Sequence, residues 1–338
     1  MTGPLSARVP APAELALPAG PSGVSWRHAT LDDVDAIVEL YAALAEADHP
    51  EWTETREEVE EELRHSWIDL ALDSVIGHDD GEVVAVGLQV ATPRPETIVR
   101  SIAVGGVRPS HRGRGIGRAL TRWHRDRGRQ QLAASPLDLP GWIMFYVEER
   151  NASQSRLLEH VGIPLVRYFS KMERNLADPI PELSLPEGLV LATPTRDDSA
   201  RIREAKNEAF RDHWGSQPST DEAWDSMMNQ STLRLDLSVV ALDGDEVAGF
   251  VLVDVHPDDF ASQGYRGGYI PLVGVTRAWR RKGVAPALLS AALRAHRAAG
   301  FERIALDVDS ENPSGALGLY TGMGFEPVSR SMAYVEEF

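Results

Sequence analysis

The chain of 338 residues has no cysteine, which excludes disulfides, thiolate metal ligands and a cysteine nucleophile. Lysine is nearly absent: Lys171, Lys206 and Lys282 stand alone among many arginines, a bias read as coding preference rather than chemistry. No apolar run is long enough to span a bilayer, so no membrane partner is expected. Positive charge is outnumbered, and the formal net charge of −17 argues against nucleic acid, whose binding needs a basic face. It is compatible with a cationic substrate. What remains, 43% hydrophobic and 25% charged residues, is the composition of an ordinary globular protein. The length exceeds what one core usually serves, so two domains are expected. Residues 1–23 are rich in Pro, Ala and Gly and have no uninterrupted apolar core, so they read as a disordered tail rather than a signal peptide. The expected compartment is the cytoplasm.

The chain is written twice. Thr30-Leu31-Asp32-Asp33 returns as Thr195 to Asp198, each with the look of a helix N-cap and an acidic residue at N3. Val34, Ile37, Val38, Tyr41 and Leu44 then follow at the spacing of one helical face, with a weaker version at Ile202, Ala205, Ala209 and Phe210. Asp80-Gly81 and Asp243-Gly244 each lead into an apolar strand, a hairpin signal. Arg112-Gly113-Arg114-Gly115-Ile116-Gly117 is matched by Arg280-Arg281-Lys282-Gly283-Val284-Ala285, and Asn151…Gly162 by Asn312…Gly324. Residues 176–188 between the copies are Pro-rich and read as a linker. The expected domains are therefore 24–175 and 189–338. Each reads β-α-α-β-β-β-loop-α-β-α-β, a mixed α/β fold with helices flanking a mostly antiparallel sheet.

The glycine loops bear on function. A strand that ends in a Gly-rich turn and feeds a helix aims backbone N–H groups at one spot, where the helix dipole is positive. Such a nest binds phosphate, and glycine lets the ligand approach. The arginines therefore mark a local anion site on an acidic body, and an RNA-binding reading of the RGRG stretch conflicts with the charge balance. Neither copy has a Walker A spacing, and neither has G-x-G-x-x-G. Both share R-x-x-G-x-[GA].

That pattern, on a strand-loop-helix unit and in two copies covering nearly all of residues 24–338, resembles the coenzyme A loop of the GNAT superfamily of N-acetyltransferases. The resemblance implies two tandem GNAT domains that use acetyl-CoA as co-substrate and no metal. It implies cofactor contacts from Val273, Gly274, Val275, Arg280, Arg281, Lys282, Gly283, Val284, Ala285 and Asn312. In the first copy the same contacts fall on Gly105, Gly106, Val107, Arg112, Gly113, Arg114, Gly115, Ile116, Gly117 and Arg118. Family members often carry a tyrosine after the fifth strand. Tyr320, four residues before Gly324, stands at that place and is the expected general acid for the leaving thiolate. In the first copy Leu158 occupies it, with Tyr146 and Tyr168 as the phenols that could substitute. The second copy is thus expected to be catalytic and the first degenerate.

A base must also neutralise the amine. Many members place a Glu on the fourth strand, but Tyr269 to Val275 holds no carboxylate. Asp254 is the first candidate, ahead of His256, Asp307 and Asp309. Ala209 to Gly215, with its His213-Trp214 pair, reads equally as acceptor pocket or as a cap on the core. The sequence thus predicts an acetyl-CoA-dependent N-acetyltransferase of a small-molecule primary amine, as a monomer or homodimer. A non-catalytic acyl-CoA sensor or scaffold is the alternative.

Overall fold

The computed structural model describes residues 3–20, 23–311 and 315–338. It divides into two compact units, residues 1–167 with 331–338, and residues 168–330. The first holds α1 (Leu5–Arg8), β1 (Ser25–Arg27), α2 (Val34–Asp48), α3 (Arg56–Arg64), α4 (Leu70–Asp73), β2 (Ser74–Asp79), β3 (Glu82–Ala91), β4 (Val99–Val107), α5 (Ile116–Ala133), β5 (Gly141–Glu148) and α6 (Ala152–His160). Strand β6 (Leu165–Asn175) carries the chain into the second unit. There follow β7 (Val190–Ala192), α7 (Ser199–Ala209), α8 (Asp221–Asn229), β8 (Val239–Asp243), β9 (Glu246–Asp254), α9 (Phe260–Gln263), β10 (Gly267–Val275), α10 (Val284–Ala298), β11 (Arg303–Asp309) and α11 (Ala316–Gly322). Strand β12 (Glu326–Glu337) carries the chain back to the first unit. Apart from the four-residue helices α1, α4 and α9, the element order is the one the repeated landmarks predict.

In the first unit the strands run β1-β2-β3-β4-β5-β12, and in the second β7-β8-β9-β10-β11-β6. All of these neighbours are antiparallel except β4 with β5 and β10 with β11. The final strand of each sheet comes from the other copy of the repeat. Ser331–Glu337 pair with β5, while Phe169–Asn175 pair with β11.

Local chemistry explains the helix starts. The Asp33 carboxylate accepts from the Thr30 N–H at 2.8 Å, and Asp198 does the same for Thr195 at 2.7 Å, so both copies open on a capping box. The Arg27 guanidinium grips Asp33 at 2.7 and 2.5 Å and holds its carboxyl down at about 2, with the Thr30 hydrogen bonds adding to the effect. The lowered value makes this stability present above the unfolded carboxyl range and lost as pH falls through about 2. Arg27 is half exposed, so Asp33→Asn is expected to cost about 1–2 kcal/mol at neutral pH. In urea titrations the gap to the parent should close as the pH falls toward 2; a gap independent of pH would show that the ion pair contributes nothing.

Two stretches depart from their compositional reading. Leu5 is fully buried and Val9 nearly so, and the Leu5 N–H donates to the Leu137 carbonyl at 3.0 Å. Scattered apolar anchors thus hold the N-terminal stretch onto the first unit where a free tail is expected. Leu176 is buried in the second core, with Ile180 and Leu185 packed against it. Arg174 donates to the Pro179 carbonyl at 2.7 Å, so the Pro-rich segment lies along its unit.

Candidate active site

The two glycine loops have the same construction. In the second unit, the Arg280 Nε donates to the Val275 carbonyl at 3.3 Å, and its Nη atoms reach Asp212 at 3.1 Å and the Ala209 carbonyl at 2.8 Å. In the first, Arg112 reaches the Val107 carbonyl at 3.1 Å and grips Asp48 at 2.8 and 2.6 Å. The guanidinium of R-x-x-G therefore ties the loop to the end of the preceding strand and to an aspartate at or beyond the end of the first long helix. The guanidinium is thus spent on contacts within the protein. Gly113 and Gly115 have φ of 79° and 87°, and Arg281 and Gly283 have 59° and 85°. Alternating left-handed residues before a helix turn successive N–H groups to one side. Val284 and Ala285, in the first turn of α10, have no intrahelical acceptor, and Pro286 removes a donor that would also have lacked one. A Cβ built on Gly283 meets nothing within 4 Å, so the space above the loop is open. Lys282 lies 4.6 Å from the Trp279 ring centroid.

From this loop a cavity of about 750 Å³ runs between β10 and β11 to α11. Its wall includes Val273, Gly274, Val275, Arg280, Arg281, Gly283, Val284 and Ala285, together with Tyr320, Asp307 and Asp309. Asn312 lies outside the described residues. A proline opens the cavity. Strands β10 and β11 pair only from Gly267↔Arg303 to Tyr269↔Ala305, although both continue. Pairing with β9 also shifts register between Tyr269 and Leu272. Pro271 sits at this bulge and has no N–H to give to β11, so the parallel strands part there. The bulge escaped the sequence reading, although a proline inside a strand is its signal.

Tyr320 is buried near the end of α11, its ring edge-on to Phe325 at 5.9 Å. Burial pushes its hydroxyl up to about 12, so it stays protonated at neutral pH. Arg174, on β6, donates to the Met323 carbonyl, and a Cβ at Gly324 would collide with its guanidinium. The strand that enters from the first repeat thus anchors the turn after Tyr320, a role the sequence did not reveal.

The carboxylates separate into two groups. Asp254 is buried at the end of β9, opposite Tyr269 in register, and is not among the residues of the cavity wall. Asp307 and Asp309 are in that wall. The Tyr269 hydroxyl donates to Asp307 at 2.7 Å. Phe210 and His213 contribute to the wall with rings 5.5 Å apart, while Trp214 packs 6.1 Å from Phe169. Among the described residues no group of His, Asp and Glu could hold a metal ion, and no helix is long and apolar enough to cross a membrane.

The corresponding place in the first unit is built differently. Strand β4 ends on Gly105, Gly106 and Val107, and pairs with β3 from Ser101 to Val107 without a shift. It stays paired with β5 from Val99 to Ala103, two residues further than β10 with β11. Ala103 stands where the second copy has Pro271, which accounts for the longer pairing. Leu158, at the tyrosine position, is fully buried. Ile116 is buried, and a Cβ on Gly117 would touch Leu157 at 3.4 Å. Arg114 approaches Asp79 at 3.6 Å, and Arg118 joins Arg122, Arg125 and His160 around a separate cavity of about 420 Å³. Tyr146 is part exposed on β5, and Tyr168 falls in the second unit.

Comparison with known proteins matches this geometry to a family. The pattern of the acetyltransferase (GNAT) family matches residues 37–139 and again 199–325. The mycothiol acetyltransferase of Nocardia farcinica is 30% identical over 241 residues, covering 69% of this chain and 74% of that protein. That of Thermomonospora curvata is 30% identical over 270 residues, covering 77% and 81%. Among solved structures, a GCN5-related N-acetyltransferase from Sphaerobacter thermophilus has a TM-score of 0.71 at 27% identity, covering 94% of this chain and 97% of that one. A tandem GNAT protein from the clavulanic acid biosynthesis pathway shares the fold, with a TM-score of 0.67 at 17% identity and coverages of 93% and 98%.

Proposed function

Because the chain belongs to the acetyltransferase (GNAT) family through both of its halves, and is an N-acetyltransferase, we propose that its second unit transfers the acetyl group of acetyl-CoA to a small-molecule primary amine. The observation that carries this reading is the single cavity joining the Gly283 loop, the Pro271 opening and Tyr320. The residues present suit acetyl-CoA. The first-turn N–H groups of α10 and the open space above Gly283 suit a pyrophosphate, and the parted strands leave backbone groups of Val273 to Val275 for the pantetheine arm. Acetyl-CoA supplies the thioester. The protein's part is to orient it, keep bulk water from it and handle two protons.

Tyr320 holds the first proton. When the carbon–sulfur bond breaks, the sulfur carries the departing electron pair, and the phenol protonates it. Burial that raises the phenol also raises the proton affinity of a thiolate beside it, so the two remain matched. Relatives named mycothiol acetyltransferase support a small-molecule acceptor.

The test is thiol release from acetyl-CoA, followed with a thiol reagent across a panel of primary amines. The absence of cysteine leaves no protein thiol as background. Release that depends on both the amine and acetyl-CoA is expected. Acetyl-CoA binding without release for any amine would overturn the reading.

A further inference from the structure

The cavity wall that includes Tyr320 also contains a carboxylate that the fold holds in place. Strand β11 turns Leu306 and Val308 into the core, which leaves Asp307 on the other face, exposed toward the cavity. Tyr269 is the last residue of β10 still paired with β11, opposite Ala305. Asp307 stands two residues further along β11, on the same face as Ala305. The 2.7 Å hydrogen bond from the Tyr269 hydroxyl to Asp307 Oδ2 therefore spans the point where the strands part. Burial, reinforced by Asp307 itself, pushes the Tyr269 phenol well up, so it remains a donor. It occupies one carboxylate oxygen and leaves Oδ1 for a cavity ligand. Asp309 is spent locally, accepting from the Glu311 N–H at 2.9 Å. Lys171 lies directly opposite Asp307 on β6, and Asp254 lies behind Tyr269 on β9.

We infer that Asp307, oriented by Tyr269, receives the acceptor as its ammonium ion and is the base that deprotonates it, so the substrate class is an aliphatic primary amine charged at neutral pH. The inference rests on the acetyl transfer proposed above. In the step, an ammonium N–H proton passes to Asp307 Oδ1. The freed nitrogen lone pair attacks the thioester carbon, the N–C bond forms, and the C–S bond breaks. The sulfur takes the Tyr320 proton. The nitrogen loses a second proton on becoming an amide. One of the two protons from the ammonium restores Tyr320 and the other leaves to solvent. Asp307 is a catalytic residue in this scheme and Tyr269 a positioning residue.

The test compares two acceptors in the thiol-release assay: the best alkylamine of the panel, and methoxyamine, which is neutral at the assay pH and needs no base. Asp307→Asn is expected to lower kcat/KM for the alkylamine on the order of 10²-fold while changing methoxyamine turnover by less than about threefold. KM for acetyl-CoA should hold within about twofold, because the carboxylate does not touch the loop. Tyr269→Phe should lose roughly tenfold with the alkylamine only, Asp307→Glu should recover part of the rate, and Asp254→Asn should keep it. Equal losses for both acceptors in Asp307→Asn would mean a structural role and overturn the inference. So would full alkylamine activity in that variant, or selective loss in Asp254→Asn. If the unsubstituted chain turns over no amine, the proposed function falls first and this inference with it.

Discussion

Gly283→Glu is expected to weaken acetyl-CoA binding on the order of 10³-fold or more. Three effects add. A φ of 85° is left-handed, and any side chain there costs about 1–2 kcal/mol. The open space above the loop, where the pyrophosphate is proposed to sit, would be filled by the new side chain. Finally, a carboxylate at the positive end of α10 would neutralise the dipole that attracts the anion, and would repel it. Gly115→Glu is the control. Its φ of 87° imposes the same backbone strain, but in the first unit, so thiol release should survive while that unit melts earlier. Titration calorimetry with acetyl-CoA, run beside thermal melts of both variants, separates lost binding from lost folding. Unchanged affinity in a folded Gly283→Glu protein would remove the loop from the site.

Tyr320→Phe is expected to lower kcat by roughly 10²–10³-fold with KM for acetyl-CoA within about threefold. The ring and its contact with Phe325 remain, so packing is preserved and only the proton is lost. Without it the thiolate must leave as an anion with no proton donor at the Tyr320 position. The loss should thus fall on the chemical step. A variant whose KM rises while kcat holds would recast the hydroxyl as a binding group, and an unaffected kcat would take Tyr320 out of the reaction.

The parts of this protein that repeat were legible in the sequence. Two capping boxes, two hairpins and two R-x-x-G-x-[GA] loops placed most of the helices and strands, because each is a local contract between residues a few positions apart. That the loops suit an anion could be argued from helix ends and glycine freedom; coenzyme A as that anion came only with the family resemblance. What stayed hidden depends on residues far apart in the chain. Asp307 and Tyr269 meet only because β10 and β11 run parallel, and in the sequence Asp254 on β9 ranked ahead of Asp307 and Asp309 on β11. The destination of the R-x-x-G arginine depended on Asp48 and Asp212, distant in sequence from either loop. The sheet endings were invisible for a different reason. Strands β6 and β12 are the corresponding last strands of the two copies, so nothing in the sequence says which sheet each completes.

That exchange gives the chain an order of assembly. As synthesis proceeds, residues up to Arg167 emerge with β5 at an unfinished sheet edge, and the strand that covers it appears only after the whole of the second unit has been made. The first unit's last pairing is therefore among its least local, the kind that forms slowly. The second unit meets no such delay, since β6 is waiting when β11 emerges. The half with the Gly283 loop and its cavity is completed first on the ribosome, and damage near residue 331 is felt at β5, nearly two hundred positions earlier in the chain.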